Sequence, residues 1–362
     1  MSAIEELPND YLDWSNALPY SFMERQSYGE YLRDRCGSGI HHIKDYVIDL
    51  EPQITGSIFA TFSLGDVKNY DKVVLAMGHG KARIPDFLRD HPLTPRIILD
   101  VWNGSDLPDC RTLLCFGAGL SFIDTALTHL ARNPSNRVIA ISGSGNLPER
   151  IGSNSEVAFE PTLNEVNTLE KLRTYLFDAG DNWRDAVAGL RPIKEDMWNG
   201  FTPSEQEEFL LTDGYTWSKR RHPMAPEIAN RLDEAINSGQ IQIIRGKVDR
   251  LVGLENSVEI SLETGSSYSG EYLAICIGRD YKVSDPLSTT LIEEGKTQRG
   301  YLEMGLSVDA STGLLKKSDG SKYSNIFALG PLRLGGIFES TAIPDIARQA
   351  FTIALVAAIS GN

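Results

Sequence analysis

The sequence predicts an α/β fold built on parallel sheet, and three observations carry that expectation. First, an apolar strand, Thr112–Phe116, runs into the glycine turn Gly117-Ala118-Gly119-Leu120-Ser121, then a helix to Arg132 and a second strand, Arg137–Ser142. This β-turn-α-β unit of about 30 residues has the length of a right-handed crossover. Second, two more apolar runs, at 72–76 and 325–329, stop near glycines Gly78 and Gly330, as buried parallel strands do at a sheet edge. Third, 362 residues with 41% apolar and 23% charged side chains are enough for two ordinary globular cores.

Taken in order, residues 1–35 carry Tyr11, Trp14, Tyr20, Phe22, Tyr28 and Tyr31 and read as loops with a short helix. Segments 44–50 and 57–63 are strands by their β-branched and aromatic residues between turn formers. Pro85, Pro92, Pro95 and Pro108 punctuate a connector that leads to the glycine-turn unit. Residues 160–237 read mostly as helices, with Pro161, Pro203 and Pro226 near their starts. Strands return at 241–244, 248–251, 258–262 and 272–277, the last ending at Gly278. A helix over 344–359, with Pro344 in its first turn, closes the chain.

Several classes are excluded. A net charge of −14 would repel a phosphate polymer, so a nucleic-acid binder is not expected. No stretch reaches the ~20 apolar residues of a membrane helix, and the acidic N-terminus lacks the pattern of a secretion signal. Four cysteines make no disulfide scaffold, so a cytoplasmic protein is expected. Cys110 and Cys115 stand five apart, but Cys115 lies inside the apolar strand, where a small hydrophobe belongs. The histidines at 41, 42, 79, 91, 129 and 222 show no metal-ligand spacing. There is no nucleophile elbow and no P-loop.

The glycine turn points to a dinucleotide. Gly117 lets the chain reverse off the strand, and Gly119, lacking Cβ, admits a pyrophosphate to the backbone. The helix that starts there aims its free N–H groups at the anion. Phe122 stands where a third glycine is usual, which implies a wider helix–strand spacing. The second strand ends at Ser142-Gly143-Ser144, with neither a carboxylate for a ribose diol nor an arginine for a 2′-phosphate. Arg220, Arg221 and His222 are candidate cations from elsewhere; NADH and NADPH both stay open.

In these residues the chain resembles the two-dinucleotide-domain flavoproteins, in particular a bacterial FAD/NAD(P)-binding family related to flavin-dependent N-hydroxylating monooxygenases. The matching segments run in family order: 28–32, 73–79, 117–124, 217–226, Ala328-Leu329-Gly330-Pro331 and Glu339-Ser340-Thr341-Ala342-Ile343-Pro344. The resemblance implies a Rossmann-like NAD(P)-binding domain at 105–255, inserted in a FAD-binding domain made of 1–104 and 256–362. It places Gly78 and Gly330 at FAD and Glu339, Ser340 and Thr341 near the flavin; His79, just after a turn glycine, is a candidate to meet flavin or substrate, and Gly117 to Ser121, with Arg220 and Arg221 as candidate cations, are read as the NAD(P)H site. Pro331 departs from the aspartate that many flavoproteins carry after the final glycine.

The family opens with a strand and GxGxxG helix that hold the FAD pyrophosphate, and this sequence begins past that point. A partner subunit that supplies the missing unit, a reading frame started too late, and lost FAD binding are the three explanations, of which the partner is the expectation. The implied function is one subunit of a FAD- and NAD(P)H-dependent oxidoreductase, with monooxygenation implied by kinship. The alternatives are a non-catalytic scaffold or regulatory subunit of flavoprotein descent, and a nicotinamide-only dehydrogenase, for which no catalytic Lys, Tyr or His set is evident.

Overall fold

The computed structural model describes residues 2–359 apart from 5, 8, 18–22, 24, 38, 90–93, 103–106, 152–158 and 338. Tyr20, Phe22, His91 and Pro92, singled out in the sequence, lie outside the described residues. The chain forms two compact units: Met1–Gly80, Pro192–Thr202 and Tyr281–Asn362 make unit 1, and Lys81–Arg191 with Pro203–Asp280 make unit 2.

Unit 1 opens with α1 (Asp10–Ser15) and α2 (Arg25–Arg35). Between them Tyr11, Trp14, Tyr28 and Tyr31 pack as an aromatic cluster, with ring centroids such as Tyr11–Tyr28 4.9 Å apart. Strands β1 (Val47–Pro52), β2 (Ile58–Phe62) and β3 (Val67–Tyr70) follow as an antiparallel meander. Alternation sets its faces: Leu50, Ile58, Ala60 and Phe62 are buried, while Ile48, Phe59 and Val67 face outward. Strand β4 (Val73–Leu75) leaves the meander for another sheet.

Unit 2 contains β5 (Ile97–Ile98), β6 (Thr112–Phe116), α3 (Leu120–Arg132) and β7 (Arg137–Ser142). Helices α4 (Leu163–Val166), α5 (Leu169–Ala179) and α6 (Trp183–Gly189) follow. The next helix, α7 (Lys194–Gly200), lies in the segment that packs with unit 1. Unit 2 resumes with α8 (Pro203–Glu208), a π-helical turn at Phe209–Asp213, α9 (Gly214–Arg221) and α10 (Pro226–Asn237). Strands β8 (Ile241–Arg245), β9 (Val248–Gly253), β10 (Val258–Leu262), β11 (Ser267–Gly270) and β12 (Tyr272–Ile275) complete it.

The central sheet of unit 2 is parallel throughout, in the order β5-β12-β6-β7-β8. Strand β6 explains the layers. Leu113 and Cys115 face a core with Phe122, Ile123 and Ala126 of α3 and Ala229 and Leu232 of α10. Leu114, between them, faces the opposite core with Leu251, Ile260 and Leu262 of the β9–β11 meander. A strand buried on both faces has to be apolar at every position, which is how 113–115 read. Phe122 is fully buried against that sheet.

The chain returns to unit 1 with α11 (Pro286–Glu293), β13 (Leu314–Lys316), β14 (Lys322–Ala328) and α12 (Ile343–Ile359). Strand β14 pairs antiparallel with β13 and parallel with β4, Ala328 standing opposite Leu75. Strand β4 is the outer strand of this sheet.

The compact units divide at 80/81 and 280/281, whereas the resemblance implied 105 and 255. The physical cause is pairing: β5 and β12 are laddered into the glycine-turn sheet, and β9–β11 cover its second face. Strands β3, β5, β11 and β13 and helix α11 were not legible, because they are two to four residues long or carry few apolar residues. Helix α11, at eight residues, falls at the lower end of helix length.

Candidate functional site

At the carboxyl end of β6 the backbone reverses through Gly117, at φ +108°. A Cβ there would lie 2.6 Å from the Cys276 carbonyl oxygen, so only glycine fits both the angle and the space. Gly117 N–H donates to Ile141 O at 2.8 Å, which ties the turn to β7. Gly119 caps α3 in an extended conformation, and a Cβ on it would meet nothing within 4 Å. The first turn of α3 leaves its N–H groups without partners inside the helix and presents the positive end of the dipole. Ser121 is held by Trp102, whose indole N–H donates to its Oγ at 3.2 Å.

These atoms form the floor of a cleft of about 670 Å³. Its walls are the end of β7 (Ser142, Gly143, Ser144 and Asn146), the face of α9 carrying Ser218 and Lys219 with His222 just beyond it, and Arg83, Cys276 and Gly278. Ser142 Oγ accepts from Gly145 N at 2.9 Å and closes the turn after β7. His222 Nδ1 lies 3.0 Å from the Ser218 carbonyl. That carbonyl can only accept, so Nδ1 donates and Nε2 is left for other partners. Among the described lining residues there are three basic side chains, Arg83, Lys219 and His222, and no carboxylate. In a chain of net charge −14, that selects an anion.

Gly117, Ala118, Gly119, Leu120 and Ser121 are thus brought together, but Arg220 and Arg221 are not among the cleft-lining residues. The Arg220 guanidinium lies over the Trp183 ring, 5.8 Å from its centroid, and 3.8 Å from Glu149. Lys219 takes the place these arginines were expected to fill. Lys219 stands in the last turn of α9, and His222, which the sequence singles out, lies just beyond its end. Arg83 and Cys276 carried no signal, since each reaches the cleft from a distant segment, and Asn146 stands just past the end of β7.

In unit 1, Gly78 (φ +72°) and Gly330 (φ +69°) follow the adjacent parallel strands β4 and β14, so both lie at one sheet edge. His79 is exposed beside Gly78. Gly330 N–H donates to Gln349 Oε1 at 2.9 Å, and Pro331 starts a short 3₁₀ turn. Glu339, Ser340 and Thr341 precede α12, with the Ser340 carbonyl oxygen 4.0 Å from where a Cβ on Gly330 would stand. The structure therefore brings Gly330 and the Ser340 turn together at the start of α12. Beside β4 lies a mainly apolar cavity of about 520 Å³, lined by Leu50, Phe62, Val73, Val74, Leu75 and Leu287 among others. Among its described residues unit 1 has no strand-glycine-helix turn like that at 117–121.

Neither Cys110 nor Cys115 is set up as a nucleophile. Burial pushes the half-buried Cys110 up to about 11, and the fully buried Cys115 is raised by its hydrogen bond with Cys276 and by burial. All four cysteines are free. No cluster among the described residues could hold a metal ion, and no helix among them is long and apolar enough to cross a membrane.

The fold and cleft define a dinucleotide-binding α/β protein, and comparison with known proteins narrows the class. Residues 1–80 match the FAD-NAD(P)-binding family model. Solved structures with the same fold include an ornithine N-hydroxylase from a Kutzneria species, 13% identical over 97% of this chain and 80% of that one (TM-score 0.64). Also similar are L-lysine 6-monooxygenase from Pseudomonas syringae (15% identity, 99% and 81% coverage, TM-score 0.60) and ornithine hydroxylase from Pseudomonas aeruginosa (13%, 93% and 74%, TM-score 0.57). No curated protein sequence matches. The chain carries the Rossmann-like flavoprotein fold, in accord with the resemblance read from its motifs.

Proposed function

We propose that this chain is a subunit of a FAD- and NAD(P)H-dependent oxidoreductase of the monooxygenase kind, with FAD completed by a partner chain. The observation that carries the reading is the cleft of unit 2, where a glycine turn, a helix N-terminus and three basic side chains converge without a carboxylate. The FAD-NAD(P)-binding match over 1–80 supports the flavin half. The fold shared with hydroxylases of ornithine and lysine supports amine oxygenation as the kind of reaction. Among the described residues β4 is the outer strand of its sheet, with an apolar cavity beside it, and this supports a partner strand.

Within the cleft, backbone N–H groups at 119–121 would bind the pyrophosphate. The hydroxyls of Ser142 and Ser144 with the Lys219 ammonium fit a 2′-phosphate better than a ribose diol, which calls for a carboxylate. NADPH is therefore the preferred nucleotide in this reading. Bound flavin and nicotinamide supply the electron-transfer chemistry, and the chain's share is to bind, orient and exclude water.

Calorimetry of the full chain is expected to show NADPH binding at least about tenfold tighter than NADH. Lys219→Ala with His222→Ala should erase that preference and leave NADH binding unchanged; equal affinities in the wild type would remove the NADPH assignment. Absorbance of the complex purified from its own host tests the oxidoreductase reading: flavin bands bleached by NADPH are expected. A colourless complex blind to both nucleotides would leave a scaffold of flavoprotein descent.

A further inference from the structure

We infer that Lys194 is a positioning residue, a clamp that fixes the Glu339–Thr341 turn against the first turn of α12. The role rests on the proposal that this turn faces flavin. Lys194 Nζ pairs with Asp345 Oδ2 at 2.6 Å and donates to the Glu339 carbonyl at 3.1 Å. The two side chains are 10% and 2% exposed, so the pair is almost free of solvent screening. Burial holds the Lys194 ammonium below the usual lysine range against the pull of Asp345.

Asp345 and Gln349 stand four apart on α12, on one helix face. Gln349 holds the Gly330 turn, and Asp345, through Lys194, holds the Glu339 turn. One column of buried polar side chains thus fixes both turns that the resemblance assigns to flavin. Ser340 Oγ and Gln349 Nε2 are buried beside it and, among the described residues, have no hydrogen-bond partner. A buried ion pair seldom adds net stability compared with apolar residues of the same volume, so its place here is better explained by geometry than by stability.

The test is the double variant Lys194→Met/Asp345→Leu, which removes both charges and keeps the volume, so it should fold where Lys194→Met alone leaves Asp345 unpaired. Two readouts are taken on the full chain in its native complex: amide hydrogen exchange at 339–343 and the flavin dissociation constant. Faster exchange confined to that turn, with flavin held about tenfold more weakly, is expected from the loss of one charged hydrogen bond. Unchanged exchange would overturn the clamp, and faster exchange with unchanged flavin affinity would overturn its role toward the cofactor. A wild type that holds no flavin but shows the exchange difference between wild type and double variant would instead sink the functional proposal and the cofactor role together, leaving a structural clamp.

Discussion

Units 1 and 2 each end parallel strands at glycines, yet among the described residues only unit 2 continues such an ending directly into a long helix. In unit 2, β6 passes through Gly117 directly into α3, so the floor of the cleft is one contiguous piece, while its walls come from the end of β7, from α9 and from the Arg83 and Cys276 segments. In unit 1, the glycines after β4 and β14 lead into no long helix, and the nearest helix N-terminus belongs to α12, more than ten residues beyond Gly330. Its geometry is assembled from long-range contacts: Gln349 to Gly330, Lys194 to Glu339 and Asp345. The contiguous floor of the unit 2 cleft is set by local sequence, whereas the unit 1 turns depend on buried polar residues far apart in sequence.

The sharpest way to break this contrast is at Gly117. Gly117→Ala combines a left-handed φ with a Cβ 2.6 Å from the Cys276 carbonyl oxygen. We expect a loss of about 3 kcal/mol or more in urea unfolding, together with loss of NADPH binding. Two residues on, Gly119→Ala has room and an ordinary backbone, so stability should be unchanged. Its methyl group faces the cleft, and NADPH affinity measured by calorimetry should fall about tenfold to a hundredfold.

In unit 1, Gly78→Ala meets no atom within 4 Å and is strained only by its φ of +72°. A cost of about 1 kcal/mol with unchanged NADPH affinity is expected, read by thermal unfolding. If Gly78→Ala weakened nucleotide binding as Gly119→Ala does, Gly78 would have to be counted among the nucleotide-binding residues.

Acid should distinguish the units through the groups that titrate in them. The ring of His129, fully buried in unit 2, is held below its ordinary value by burial first and by the Arg132 charge second. The unfolded chain then binds the proton more readily, so this stability is complete above the ordinary histidine value of about 6.5 and is lost as pH falls through the folded one. In unit 1, Asp309 is partly buried, which opposes ionisation, but hydrogen bonds from Thr312, Ser311 and Lys322 outweigh that and lower its carboxyl. Its contribution is present above the ordinary carboxylate value of about 4 and is lost only below it. Hydrogen exchange followed from pH 7 to 3 should therefore show amides of α3 opening before those around 309–312, and the reverse order would contradict both assignments.

Legibility followed the same division. The β6-α3-β7 unit could be read almost to the residue because each of its signals is local: an apolar strand, glycines at a fixed spacing and a helical period. Of the cationic wall, His222 is read from the sequence and lines the cleft, whereas Arg220 and Arg221 do not line it and Lys219, in the same basic run, does. Lys194 and Asp345 gave no sequence signal. Nothing local distinguishes a lysine bound for burial from one in water, and its partner lies 151 positions away.

The shortness of β4 has a consequence for how the chain survives synthesis. Three residues offer too few unpaired backbone groups to template a stray strand, and a brief edge is one of the ways sheet proteins avoid sticking to one another. Val74, on that edge, nonetheless stays 45% exposed. The brevity of that edge limits pairing between copies of the chain even though an apolar side chain lies on it.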